Sequence, residues 1–286
     1  TSTVLGGLPV DPLQLPDPRC LALREGEEVV VRTHRSLCPE AHKQWLLDEE
    51  TNSAVELTLQ GEMDERPASQ IVELLACILA NGAFDTLRTN EQLGYLVDLG
   101  VRYDHGVYGL KVTVQSASHG PVYLDERIEA FLASVSTRLA QLSAEEFANH
   151  RDSLVKRRLE PPKTLRDESG AHWSEITKAT YHFTRDEEVA AAAAALTRED
   201  LVRYWAEHFD AAASKRRKLS SHVYAPRNEL PTKLESGIGG RRIVYVDGLE
   251  EVLAFKRTLN AFPAAPRRSK AARTGGESRP PAVPLE

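Results

Sequence analysis

Cysteine, methionine and long apolar runs are all scarce in this chain, and each scarcity excludes something. The three cysteines, Cys20, Cys38 and Cys77, are odd in number and form no C-x-x-C pair. That pattern speaks for reduced thiols rather than a disulfide framework, with Cys77 inside a core helix, and a cytoplasmic protein is the expectation. The one methionine, Met63, lies far inside a chain that opens on Thr1. The chain is therefore expected to begin after the start of its reading frame or to have been processed, and no targeting signal can be read from it. No apolar run approaches the ~20 residues of a membrane span. The net charge of −6 gives no reason to expect nucleic acid as a partner.

Metal-binding spacing is missing too. None of the nine histidines has another three or four residues away, so no helix can present the paired imidazoles of a hydrolytic zinc site. Glu168, His172 and Glu175 share one face of a predicted helix, but a solvated polar face accounts for them. No tandem repeat occurs at a period of about 20–50 residues.

What remains is an ordinary folding chain. Its 286 residues, 41% hydrophobic and 27% charged, can bury a sizeable core, in one large domain or two small ones. Residues 27–33 and 51–61 read as strands, the second with Val55, Leu57 and Leu59 alternating against Glu56, Thr58 and Gln60. A long helix on Ile71, Leu74, Leu75 and Ile78 follows a polar loop at 62–67. Helices then dominate. Residues 121–142 carry Leu124, Ile128, Phe131, Leu132, Val135 and Leu139 at helical spacing. Ser143 with Glu146 forms a capping box that opens the next helix, and Pro161-Pro162 stops it. Residues 164–184, an alanine-rich stretch at 189–196 and 197–209 complete the helical run, and 220–225 read as the final strand. Beyond Pro226 the pattern weakens to one helix at 249–259. Lys215-Arg216-Arg217-Lys218 reads as a solvated basic loop, with a nuclear-localisation or anion-binding patch as its sharper alternative.

The most informative stretch is 84–116. Phe84, Leu87 and Glu91 share a stripe at the end of a helix, Gly94 releases the backbone, and residues 95–103 alternate as a strand. Asp104-His105-Gly106 is a tight-turn sequence with His105 exposed at its tip. A second strand returns on Tyr108, Leu110, Val112 and Val114.

At the junction stands Arg88-Thr89-Asn90-Glu91-Gln92-Leu93-Gly94-Tyr95. This string resembles the R-T-x-E-Q-L-G-Y motif in the last domain of insulysin-, nardilysin- and pitrilysin-type zinc metallopeptidases of the insulinase clan, with seven of its eight positions matched. Trp173-Ser174-Glu175-Ile176 and Phe255-Lys256-Arg257 are also similar to the family. The resemblance covers roughly residues 12–262.

The order of elements predicts an α+β fold, an antiparallel sheet with helices packed on one face; the resemblance implies the same, as the roll of the clan's metallohydrolases. The expected organisation is an extended lead-in at 1–18, a single insulinase-type C-terminal domain at 19–262 and a disordered, basic, Pro/Ala-rich tail at 263–286. The resemblance further implies a C-terminal non-zinc domain that closes the peptide chamber of a zinc metalloendopeptidase and contacts peptide substrate. Zinc would belong to the complete enzyme, on N-terminal domains of the same or a partner chain. This chain alone would bind none and be inactive. Arg88 and Tyr95 would hold the substrate backbone and support the developing oxyanion, framed by Glu91, Gln92 and Gly94. From residue types alone, Arg88 could instead pair with Glu91 or Asp85 while Tyr95 packs. The alternative function is a non-catalytic peptide-binding or scaffold homologue that pairs with a zinc-bearing partner.

Overall fold

The computed structural model describes residues 18–37, 50–63, 68–177, 180–234, 236–237 and 240–264. The expected lead-in, apart from residue 18, and nearly all of the expected tail lie outside the described residues. Six strands form one sheet: β1 (Glu27–Thr33), β2 (Ser53–Met63), β3 (Leu96–Asp104), β4 (Val107–Ser116), β5 (Lys218–Val223) and β6 (Arg242–Asp247). Their spatial order is β3-β4-β2-β5-β1-β6.

The sheet is mixed, which corrects the expectation of an antiparallel one. β3, β4, β2 and β5 pair antiparallel, whereas β1 lies parallel to both β5 and β6. The cause is connectivity. β5 returns from the helical run and β6 from a further excursion, and both are long enough to arrive in the direction of β1. β6 also means that the strand expected to close the sheet does not.

Register assigns the two faces. Leu57 of β2 stands opposite Val112 of β4 and Ser220 of β5, and neighbours in register share a face. This face is covered by α1 (Ala68–Ala83), α2 (Pro121–Gln141), α3 (Ala144–Arg158), α5 (Arg185–Ala194) and α6 (Arg198–Tyr204), which bury Val55, Leu57, Leu59, Leu74, Leu124, Ile128, Leu154, Ala193 and Leu201 in one core. α4 (Leu165–Thr177) stands largely exposed beside them. The closing helix α7 (Gly248–Arg257) breaks the one-faced pattern. Its Val252 and Phe255 pack on Val29, Val31, Leu219, Val244 and Val246 of the opposite face.

α1 is the central helix. With its continuation to Asn90 it reaches the length and hydropathy of a membrane span, but 67% of that window is buried inside the fold, as a core helix requires. Ser143 and Glu146 make the reciprocal capping box expected from sequence, and Thr197 and Asp200 form a second one at α6. The hairpin turns at His105 and Gly106, with φ of 44° and 91°. Both residues thus occupy the left-handed region that a two-residue hairpin needs.

Between α2 and the sheet lies a layer of buried charge, and it overturns the reading of the KRRK run as a solvated loop. Lys215 is exposed, but Arg216 and Lys218 are 1% and 3% exposed. Lys218 Nζ stands 2.8 Å from Asp125 Oδ1, 2.9 Å from Glu129 Oε1 and 3.4 Å from Glu28 Oε2. Arg216 Nη2 donates to both oxygens of Glu129 at 2.8 and 2.9 Å, and His222 Nε2 lies 2.8 Å from Asp125 Oδ2. Alternation explains the burial. Lys218, Ser220 and His222 point toward α2, while Arg217 points away to Glu25 and Glu62.

This layer predicts an acid limb of stability. Burial pushes the Asp125 carboxyl up, but Lys218 and His222 overcome it and hold it well below the usual carboxylate range. Asp247, bonded by Arg32 and Lys233, and Glu175, buried but bonded by Arg185 and Thr180, are also lowered. A carboxyl whose folded pKa is depressed stabilises fully above its unfolded value, about 4, and loses that contribution as pH falls toward the folded value. Urea midpoints should therefore be level from neutrality to about pH 5 and fall progressively below about pH 4. A midpoint that rises on acidification would contradict these assignments.

Candidate functional site

The site is built where α1 stops being an α-helix. From Phe84 to Asn90 the chain continues as a π-helix, a wider winding that recurs at functional sites. The relaxed winding is visible in its closing bonds, Glu91 N to Thr86 O and Leu93 N to Leu87 O, each 3.0 Å. Two buried anchors, Leu87 and Leu93, hold the segment to the core. The residues beside them, Arg88 and Tyr95, face outward.

The turn out of the helix occurs at Gln92, with φ of 53°. Gly94 has a different task from the release expected of it. A Cβ there would sit 1.8 Å from the carbonyl oxygen of Gln115, so only glycine lets the chain press against the end of β4. Tyr95 follows at once, 85% exposed and just ahead of β3.

Arg88 reaches across to it. Its guanidinium carbon stands 4.6 Å from the centre of the Tyr95 ring and 4.8 Å from that of Phe84. Such cation–π stacking orients an exposed side chain for about 0.5–1 kcal/mol. Stacking occupies the faces of the guanidinium and leaves its in-plane N–H groups unused. Among the described residues Arg88 has no hydrogen-bond or ion-pair partner. Neither Glu91 nor Asp85 neutralises it. Glu91 is taken by Arg127 of α2, with Nε to Oε2 and Nη2 to Oε1 both at 2.8 Å. That bond pushes the Arg127 pKa up.

The structure thus brings all five sequence-nominated residues to one junction, and adds Phe84 and Arg127. Phe84 had a signal in the sequence, since it lies four residues before Arg88 in a helical pattern. Arg127 had none, being 36 residues away from Glu91. Chemically, the arrangement offers a fork of cationic donors on a half-buried arginine beside one exposed phenolic donor. That set suits a carbonyl or carboxylate oxygen.

A zinc ion finds no comparable cradle. Among the described residues no group of three His, Cys, Asp or Glu side chains could hold a metal ion. Glu175 from the nominated helical trio accepts from Arg185 Nε at 2.7 Å, Thr180 Oγ1 at 2.5 Å and His182 N at 3.0 Å. His172 is set edge-on against Phe183. These side chains serve the loop after α4, and the residues present do not fit the group.

Comparison with known proteins gives a consistent answer. Residues 74–173 match the family model described as PQQ synthase PqqF-like, C-terminal lobe domain 4. The insulin-degrading enzyme of Homo sapiens is 33% identical over 220 residues, which is 74% of this chain and 22% of that protein. A Schizosaccharomyces pombe protein named as a zinc protease is 30% identical over 222 residues, 77% of this chain and 22% of its own length. The chain therefore spans about a fifth of the length of these curated relatives. The crystal structure of pitrilysin superposes with a TM-score of 0.71 at 19% identity, over 93% of this chain and 26% of that one. The chain is a domain of the insulinase (M16) peptidase family, of the C-terminal type.

Proposed function

We propose that this chain acts as the non-zinc, substrate-contacting domain of an insulinase-type zinc metalloendopeptidase, helping to close the peptide chamber around its substrate. The observation that carries the reading is the Arg88–Tyr95 stack: Tyr95 is exposed, Arg88 is half-buried, and the Arg88 donors have no hydrogen-bond or ion-pair partner among the described residues. A structural arginine ordinarily satisfies its donors, and a structural tyrosine ordinarily buries its ring. Arg88 and Tyr95 do neither. Facing a scissile peptide, they would hold its backbone and donate to the carbonyl oxygen as that oxygen gains charge. The hydrolytic group itself belongs to domains outside this chain, and the name of the S. pombe relative supports zinc in that role.

Kinetics of Arg88 and Tyr95 variants in the zinc-bearing assembly test this reading: a fall in kcat supports it, and unchanged kinetics would sink it. A companion measurement addresses the division of labour. The purified chain alone should hold no stoichiometric zinc after dialysis and cleave no peptide, because its donor set lacks a metal site among the described residues. One tightly held zinc per chain, or chelator-sensitive cleavage, would contradict that division. A scaffold that holds peptide without taking part in its cleavage would use the same stack; variants that lose peptide binding to this chain while the assembly keeps its kcat would favour it.

A further inference from the structure

Glu91 is the one carboxylate of the motif, and its partner is Arg127 rather than Arg88. The bond is a fork on a fork, two parallel N–H···O contacts of 2.8 Å. Such a pair fixes direction as well as distance, which a single contact does not. Its place in the chain matters. Position 91 lies between Arg88 and Tyr95, where the π-helix has just ended and Gln92 turns through positive φ. A junction of that kind has few backbone bonds of its own to define it.

α2 gives the clamp a rigid mount. Asp125 and Glu129, two residues either side of Arg127, are the carboxylates that bind Lys218, Arg216 and His222 of the sheet. Residues four apart share a helix face, and the residue between them looks the other way. The helix is thus held to the sheet on one side and presents Arg127 to the motif on the other.

We propose that Arg127 is a positioning residue for the Arg88–Tyr95 pair. Through Glu91 it ties the junction to α2, and so sets where the Tyr95 hydroxyl and the free Arg88 donors stand. This inference rests on the reading of Arg88 and Tyr95 as substrate contacts. Misplacing a catalytic group by about 1 Å can cost roughly a hundredfold in rate.

The test is steady-state peptide cleavage by the zinc-bearing assembly containing the full chain, in five forms: wild type, Arg127→Gln, Tyr95→Phe, both together, and the exchange Glu91→Arg with Arg127→Glu. Arg127→Gln should lower kcat about ten- to a hundredfold, with KM and the melting transition little changed. Added to Tyr95→Phe it should cost clearly less than it does on the wild type, because the Tyr95 part of its effect is already gone and only the Arg88 donors remain to be misplaced. The charge exchange should recover most of the lost kcat. Wild-type kcat in Arg127→Gln, or losses that simply multiply in the double variant, would overturn the inference. Should Arg127→Gln fail to melt cooperatively, Arg127→Lys decides: it keeps the charge but loses the fork, so a wild-type kcat there also overturns it. The two readings separate cleanly. A kcat loss in Tyr95→Phe with none in Arg127→Gln removes only the positioning role, whereas wild-type kinetics in Tyr95→Phe remove the contact role and this inference with it.

Discussion

Replacing Lys218 by Met should destabilise the domain by about 3–5 kcal/mol, the cost of removing one partner from a buried ion cluster. Lys218 serves Asp125, Glu129 and Glu28 at once, under α2 and almost without exposure. Without it, Asp125 keeps only His222, Glu129 keeps only Arg216 and Glu28 loses its cation, so each must stay charged in a dry site or take up a proton. Asp125→Ala should cost less, since Lys218 keeps Glu129 and Glu28 and His222 keeps the Ser220 hydroxyl. The contrast is Lys163 with Glu160, an exposed pair at 2.7 Å. Lys163→Met should leave the urea transition where it was, because such pairs are screened by water. Denaturant midpoints of the three variants against wild type decide the matter. A neutral Lys218→Met would mean that the cluster is not closed to solvent as the structure shows.

The second large effect falls on catalysis in the complete peptidase. Arg88→Ala should lower kcat about a hundred- to a thousandfold, the usual cost of losing one oxyanion donor, equivalent to about 2.7–4 kcal/mol. An interaction made mainly in the transition state lowers kcat, whereas one that only holds the substrate appears in KM. Arg88→Ala also releases Tyr95 and Phe84 from their stack, so part of its effect reports on ring orientation. Stability should scarcely move, since the side chain forms no hydrogen bond or ion pair among the described residues. A variant that loses stability along with activity would show that Arg88 holds the fold instead.

Local rules made much of this fold legible. β1 has the bounds that its run of valines suggests, the Asp-His-Gly turn forms, and Ser143–Glu146 caps its helix as a capping box should. Each of these is a short-range pattern whose physics lies within a few residues. The misreadings came where partners are distant. β6 pairs in parallel with β1, so no hairpin turn announces it. Arg216 and Lys218 look like surface residues until α2 brings Asp125 and Glu129 over them. α7 finds its apolar partners on the far face of the sheet, which the order of elements does not reveal. For the candidate site, the motif supplied the residues but not their geometry. The π-helical winding, the stack of Arg88 between two rings and the hold of Arg127 on Glu91 all depend on tertiary placement.

The central claim is that Tyr95 donates to the peptide as it is cleaved, and one hydroxyl isolates it. Tyr95→Phe removes the donor and keeps the ring that stacks on Arg88. The measurement is steady-state cleavage of one short peptide by the zinc-bearing assembly, wild type against Tyr95→Phe, with folding confirmed by circular dichroism. The account predicts a kcat lower by about two orders of magnitude and a KM close to wild type. Wild-type kcat and KM together would contradict it, and would leave the exposed tyrosine as a feature of the fold alone.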